Sequence, residues 1–398
     1  MIYFDNAATT PVSQDVLKVM EPYFSKNFGN PSSIYDLGRE AKAALEAARR
    51  KAAKILGCKT EEIIFTSGAT ESNNLIIKGA TFYWSQKLNR TPHIITSAIE
   101  HPSVLNACRW LKENFSFELT ELSVSQEGII NVNELKQAIR ENTAIISIMF
   151  GNNEVGSIQP IAEIAKIVKR VNNERRMTNS TPVILHSDAV QAYQFLNIDI
   201  CNLGLDALSL TAHKFNGPKG IGLLYAKKGI KVLPLANGGS QEKRLRAGTE
   251  NIPYIVGMVK AMELSQKLKA KNQKHIETLG NYLIKRVTEE IPDVILTGPE
   301  PGEKRLPHIT SFIFKKIEGE SILINLDLAG ISASSGSACT SGGLMSSHVL
   351  LAMGYGDFLA HGSVRFSLGK LNKKSDIDAL MKILPSIVNK LKKISPIK

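Results

Sequence analysis

Cysteine is scarce in this chain. There are four, Cys58, Cys108, Cys201 and Cys339, and none stands in a Cys-x-x-Cys or Cys/His ligand spacing. That excludes a zinc ribbon and a disulfide scaffold, so no metal centre is expected. Aromatics are also few, 6% of residues, and nowhere interleave with a basic stripe. A net charge of +12 therefore does not amount to a nucleic-acid-binding face, and no direct nucleic-acid partner is expected. The lysines scatter over helical segments such as 42–54 and 267–274. The basic tail around Lys390 reads as the solvated side of a last helix, with docking of an acidic acceptor protein as the alternative. Long apolar runs are missing, none approaching the roughly 18 residues of a membrane span. The opening residues lack the basic-then-apolar layout of a secretory leader. A cytoplasmic protein without a membrane partner is expected. Neither an internal repeat nor a low-complexity segment occurs.

What is present is an ordinary globular composition, 43% hydrophobic and 22% charged, over 398 residues. That length calls for two domains. Short apolar runs alternate with helical periodicity through the first two-thirds: Ile63-Ile-Phe-Thr, His93-Ile-Ile-Thr, Ala144-Ile-Ile-Ser, Val183-Ile-Leu-His, Ala207-Leu-Ser-Leu and Ile221-Gly-Leu-Leu. Alternating βα units with nearly continuous apolar strands predict a mostly parallel sheet covered by helices. A helix is expected from about Ile34 to Leu56, opened by Asn30-Pro-Ser-Ser as a cap region. A long helix over about Pro253–Glu290 leads past a breaker-rich stretch, Thr297-Gly-Pro-Glu-Pro-Gly-Glu, to a smaller α+β unit. The expected division is residues 1–15 packing with the small domain, 16–260 as the large α/β domain, and 261–398 as the small domain carrying the Cys339 loop.

The chemistry concentrates at strand ends. Ser209-Leu-Thr-Ala-His-Lys-Phe-Asn-Gly-Pro-Lys-Gly220 holds Lys214 between a β-rich run and a glycine-rich turn. An amine fixed among desolvating neighbours can form a Schiff base with an aldehyde. Asp188, in His186-Ser-Asp-Ala-Val-Gln, supplies a carboxylate at another strand end. Together the acid and the amine suit pyridoxal 5'-phosphate, whose ring nitrogen needs the acid and whose aldehyde needs the amine. Gln191, three residues beyond Asp188, faces the same way if the chain turns helically there. Ser67-Gly-Ala-Thr follows a strand and opens a helix, so its backbone N–H groups and the Thr70 hydroxyl offer a phosphate cradle or an ordinary capped helix. The imidazole of His101, after Glu100, can stack on the ring and act as acid or base. Asn152-Asn-Glu-Val-Gly offers two amides or a plain turn. Arg365, in Ser363-Val-Arg-Phe-Ser, presents a fork for a carboxylate or a surface salt bridge. Cys58, Cys108 and Cys201 sit beside apolar residues and are expected to be buried. Cys339 lies in a polar, glycine-rich loop, where a thiol is exposed and reactive.

These segments carry a resemblance. The chain resembles the cysteine desulfurases of the NifS and IscS type, a group within the fold-type-I pyridoxal phosphate enzymes. The similarity runs nearly end to end through Phe4-Asp-Asn-Ala-Ala-Thr-Thr, Gly29-Asn-Pro-Ser-Ser, Gly68-Ala-Thr-Glu-Ser-Asn-Asn, Glu100-His, Asn152-Asn-Glu-Val-Gly, Ala212-His-Lys-Phe-Asn-Gly, Arg246-Ala-Gly-Thr-Glu-Asn, Ser335-Gly-Ser-Ala-Cys-Thr-Ser-Gly and Ser363-Val-Arg-Phe-Ser-Leu-Gly. The resemblance implies a fold-type-I transferase with a large, mostly parallel mixed-sheet domain and a small α+β domain. It implies Lys214 as the cofactor lysine and Ala69, Thr70, Thr211 and His213 at the phosphate. Thr249 reaches that phosphate from the partner subunit of a homodimer. Asp188 and Gln191 address the ring, His101 stacks on it, Asn153 and Arg365 hold the substrate carboxylate, and Cys339 accepts sulfur. The chain departs from the family at Ser240, at Ala247 and at Ser346, where a proline is common.

The activity this implies is removal of sulfur from L-cysteine. Lys214 takes the Cα proton, the Cys339 thiolate attacks the substrate sulfur with His101 as its basic neighbour, and alanine leaves a persulfide behind. Sulfur then passes to acceptor proteins, a scaffold that carries an iron–sulfur cluster or a tRNA-thiolation protein. The rivals are a selenocysteine lyase or aminotransferase on the same fold, and a non-catalytic scaffold of a sulfur-assembly complex.

Overall fold

The computed structural model describes residues 1–87, 91–178, 180–335 and 346–395. Strands are numbered in chain order, as are helices of ten or more residues.

Seven strands form the main sheet in the order β2-β8-β7-β6-β5-β3-β4. They are β2 (Ile63–Thr66), β3 (His93–Ser97), β4 (Glu118–Leu122), β5 (Thr143–Ser147), β6 (Ile184–Asp188), β7 (Ala207–Thr211) and β8 (Gly222–Ala226). Neighbours from β7 through β4 are parallel, whereas β8 runs antiparallel to both β7 and β2. The apolar runs are continuous because both faces are covered. Along each strand successive residues point to opposite sides. Ile63, Ile95, Ile146, Leu185, Leu208 and Leu223 join one core cluster, and their neighbours Ile64, Ile94, Ile145, Ile184, Ala207 and Leu224 join another. The first cluster is completed by α1 (Asp36–Leu56), α4 (Ile161–Met177) and the start of α5 (Ile252–Glu290). The second is completed by α2 (Ala69–Lys87) and α3 (Pro102–Phe115).

A second layer follows. Strands β9 (Val294–Leu296), β10 (Ile309–Phe314) and β12 (Ser363–Ser367) pair antiparallel in the order β12-β10-β9. Their core includes residues of α6 (Gly319–Leu328) and α7 (Lys374–Ile394) and the later turns of α5. Helix α5 serves both cores, with Ile255 and Met258 in the first and Leu279 and Leu283 in the other. The chain start is sewn to the small sheet. Strand β1 (Ile2–Tyr3) pairs parallel with β11 (Ile331–Ser332), and the Ala7 amide donates to Ser367 Oγ at 2.8 Å.

Two expectations are corrected. Helix α1 begins at Asp36, and its cap is Tyr35 in extended backbone without a side-chain capping bond. Asn30 instead accepts the Ser32 amide at 2.9 Å, closing its own turn two residues on. The cysteines also differ: Cys108 is buried, Cys58 is half-buried and Cys201 is exposed. Cys201 shares a four-residue helix with buried Ile200, which occupies the inward face and leaves the thiol outward. Apolar neighbours in sequence do not report which way a side chain points.

Candidate active site

Parallel strands end on a common edge, and the loops beyond those ends meet there. A cavity of about 410 Å³ opens at this edge, lined by Lys214, Asp188, His101, Thr211, Arg365 and Thr70 among others. That volume suits a small cofactor or substrate.

Lys214 closes the turn Ala212–Lys214 that follows β7. Its Nζ donates to the carbonyls of Ala7 (2.6 Å) and Ala8 (2.8 Å). Thr10 Oγ1 donates to the His213 carbonyl at 2.8 Å and accepts the Asn216 amide at 2.8 Å, so the chain start is laced to this turn. Asp188 ends β6. Its Oδ2 accepts from Asn73 Nδ2 at 2.7 Å and its Oδ1 from the Val190 amide at 3.0 Å, which aims the carboxylate. Gln191 lines the same cavity, its Nε2 donating to the Ala7 carbonyl at 2.9 Å and its Oε1 lying 3.1 Å from His308 Nε2.

His101 is the cap of α3, its Nδ1 accepting the Ser103 amide at 3.1 Å. Burial lowers its pKa, with Lys214 and His348 acting in the same direction and Asp188 opposing them. Burial, with help from Lys214 and Lys219, pushes His213 down to about 4. Glu100, wholly buried behind His101, is pushed up to about 8 by burial and by Asp188; its Oε1 accepts from Ser97 Oγ and the Met149 amide. Burial thus favours its protonated form.

Ser67, Gly68, Ala69 and Thr70 line one end of the cavity, where α2 begins. The first amides of a helix have no helical carbonyl to receive them and attract an anion. Gly222 packs directly beneath: a Cβ there would lie 2.5 Å from the Gly68 carbonyl carbon. Arg365, on β12 and also lining the cavity, donates Nη1 to the Asn153 carbonyl (2.7 Å) and Nη2 to Asp5 Oδ1 (2.8 Å). Its buried Nε has no partner among the described residues. Asn153 lines the cavity. Asn152 does not; it is buried and holds the turn, accepting the Glu154 and Val155 amides at 2.8 and 2.9 Å.

Two expected residues stand apart. Thr249 lines an adjoining cavity that shares Ser67 and Gly220 with this one. Cys339 lies outside the described residues. The described residues on either side of it bond to the site residues or their neighbours: the Arg365 amide donates to the Ser334 carbonyl at 2.7 Å, and His348 Nε2 lies 2.9 Å from the Glu100 carbonyl. Sequence reasoning assigned no role to Ala7, Ala8, Ser103 or Asn73. The first two act through backbone carbonyls, which residue type does not reveal. Asn73 had a signal, since it stands one helical turn beyond Ala69 and Thr70.

The arrangement combines an amine, an aimed carboxylate, a helix start and a buried guanidinium. Such a set accommodates a ligand with an anionic group and a basic ring nitrogen beside a carboxylate-bearing substrate. Comparison with known proteins identifies the family. Residues 2–380 match the family model described as aminotransferase class-V. Cysteine desulfurase IscS of Dictyoglomus turgidum is 47% identical over 397 residues, covering 100% of this chain and 97% of that one. The chain belongs to the class-V aminotransferase family, among the cysteine desulfurases. Cysteine desulfurase IscS of Methanosarcina thermophila is 46% identical, with 100% and 94% covered. A solved NifS-like protein superposes with a TM-score of 0.89 at 36% identity, covering 98% of this chain and 100% of that one. The fold is that of the fold-type-I enzymes. Among the described residues no helix is long and apolar enough to cross a membrane.

Proposed function

We propose that the chain is a pyridoxal-phosphate-dependent cysteine desulfurase that turns L-cysteine into L-alanine and a persulfide on Cys339. The observation that carries this reading is the meeting of the Lys214 amine and the Asp188 carboxylate in one cavity that the α2 start and buried Arg365 also line. The donor set fits the cofactor. Asp188 is aimed by two hydrogen bonds and suits a protonated ring nitrogen. Ala69, Thr70, Thr211 and His213 suit a phosphate, and Thr249 would add to it from a second copy in a homodimer. The orphaned Arg365 Nε is what a substrate carboxylate would satisfy, with Asn153 beside it.

When bound, pyridoxal phosphate supplies an aldehyde for the substrate amine and a ring that accepts the electron pair left at Cα. The chain's residues do the rest. Lys214 takes the Cα proton. His101 and Gln191, which line the cavity, would hold the ring. The Cys339 sulfur bonds to the substrate sulfur as the Cβ–S bond breaks. The electron pair stays on the carbon side, which gains protons and departs as alanine. The bound sulfur passes on to acceptor proteins that assemble iron–sulfur clusters or thiolate tRNA. The N-terminal residues 1–15 with 261–398 form the small domain that carries the thiol, against 16–260 as the cofactor domain. The protein works in the cytoplasm.

The test is paired. Lys214→Ala abolishes the visible absorption of the reconstituted enzyme, whereas Cys339→Ala keeps the colour and binds cysteine but yields neither alanine nor sulfide. A coloured Lys214→Ala variant, or normal turnover by Cys339→Ala, overturns the proposal.

A further inference from the structure

Asn73 lies between two of the groups that face the cavity. It is fully buried on α2, and its Nδ2 reaches both Asp188 Oδ2 at 2.7 Å and Ser103 Oγ at 2.8 Å. Ser103 Oγ in turn lies 2.8 Å from His101 Nδ1. The direction of every bond in this chain is settled by chemistry. An ionised carboxylate only accepts, so the atom facing Asp188 must be the amide nitrogen of Asn73; the other orientation would set two acceptors against each other. The second amide hydrogen is then given to Ser103 Oγ. Ser103, already accepting, directs its own hydroxyl hydrogen at His101 Nδ1. That nitrogen also accepts the Ser103 backbone amide at 3.1 Å. With two donors pointing at it, Nδ1 carries no proton.

We propose that Asn73 is a positioning residue which, through Ser103, locks His101 as the neutral imidazole protonated on Nε2, so that His101 meets the bound ligand as a hydrogen-bond donor rather than a base. The catalytic meaning rests on the desulfurase reading above; the tautomer does not. The charged and titratable groups acting on the ring are Asp188, which favours its protonation, and Lys214 and His348, which oppose it along with burial. One consequence concerns the thiol. If Nδ1 is blocked and Nε2 is already protonated, His101 does not accept the proton of Cys339, and the Lys214 amine is left as the base of the cavity. A second consequence is coupling. The same amide that aims Asp188 directs the Ser103 hydroxyl at His101, so a change at Asn73 reaches both the carboxylate and the imidazole, whereas a change at Ser103 reaches the imidazole alone. The buried Oδ1 of Asn73, without a partner among the described residues, marks the cost of this arrangement: its donors are used and its acceptor is not.

The test reads the proton directly. In the reconstituted enzyme labelled with ¹⁵N-histidine, one of eight histidine signals is assigned to His101 by its loss in His101→Gln. The expected pattern is an Nε2–H imidazole that stays neutral through pH 6–8. Ser103→Ala removes a donor to the neutral ring, and Asn73→Leu removes the bond that directs the hydroxyl there. Both raise the His101 midpoint, by about one pH unit or a factor of ten in protonation. The Ser103 backbone amide still donates to Nδ1 in both variants and keeps the Nε2–H form, and Ser103→Thr, which keeps the hydroxyl, retains the wild-type midpoint. In both shifted variants the acidic limb of the kcat–pH profile moves up with the midpoint. An Nδ1–H or doubly protonated ring in the wild type overturns the proposal. So does an unchanged midpoint in Ser103→Ala, which also decides the matter if Asn73→Leu does not fold. Absence of alanine production by the wild type would instead remove the desulfurase reading while leaving the tautomer assignment intact.

Discussion

On one side of the cavity Asp188, Thr211 and Lys214 stand where β6 and β7 stop. On the other, Arg365 is braced by Asp5, 360 positions away in the chain, and Ala7 receives an amine 207 positions away. The first wall is local. A buried strand runs out, the chain turns, and the last side chains are left at the sheet edge. The second wall exists only because β1 pairs with β11 and the Ala7 amide bonds Ser367. A strand-end residue is positioned by a few neighbours and tolerates change elsewhere. A residue on the assembled wall depends on several distant contacts holding together.

The contrast can be broken most forcefully at Arg365. Charge-assisted hydrogen bonds contribute about 1.5–3 kcal/mol, so Arg365→Ala raises KM for L-cysteine roughly ten- to a hundredfold. It also loosens the chain start by removing the partner of Asp5. Steady-state kinetics together with proteolysis near residue 10 checks both; a higher KM with an unchanged proteolytic rate would mean that the assembled wall does not need its guanidinium.

A smaller effect sharpens the other side. Gly222→Ala presses a methyl against the Gly68 backbone, where no flexible side chain can give way. Overpacking of this kind costs about 1–3 kcal/mol. It displaces the α2 start, so stability in urea and retention of pyridoxal phosphate on dilution fall together. Retention that survives a measured stability loss would separate the turn from the anion site.

The smallest effect is in pH dependence. Glu100 holds its proton in the folded state up to about 8, well above an ordinary carboxyl. Between the two values the folded state binds a proton that the unfolded state has released, so this contribution to stability is full below about pH 4.5 and declines as pH rises through about 8. Glu100→Gln keeps the acceptor toward Ser97 and Met149 without the titration. Its melting temperature should match the wild type near pH 5 and exceed it increasingly toward pH 8. A constant difference across that range would mean that Glu100 is ionised when folded.

Much of the molecule was legible beforehand, for identifiable reasons. The strands over residues 309–314 and 363–367 fall where their apolar and β-branched runs lie, and the long helix runs to Glu290, where Ile291-Pro stops it. Strand–turn residues such as Asp188 and Lys214 were visible because a polar group at the end of a buried run has few structural uses. Helix α1 was misplaced by two residues because Asn30 satisfies a turn as readily as a helix cap. The exposure of Cys201 was hidden because neighbouring residues on a short helix point in different directions.

What the sequence determined by itself was the set of elements and the chemical groups at their ends, since strand period, helix period and turn chemistry are local properties of the chain. What only the tertiary structure decided was which atoms meet: the Ala7 and Ala8 carbonyls at Lys214, the orphaned Nε of Arg365, and the Asp188–Asn73–Ser103–His101 bonds. Those contacts join residues far apart in the chain, several through backbone atoms that every residue type shares, so no spacing or composition could have announced them.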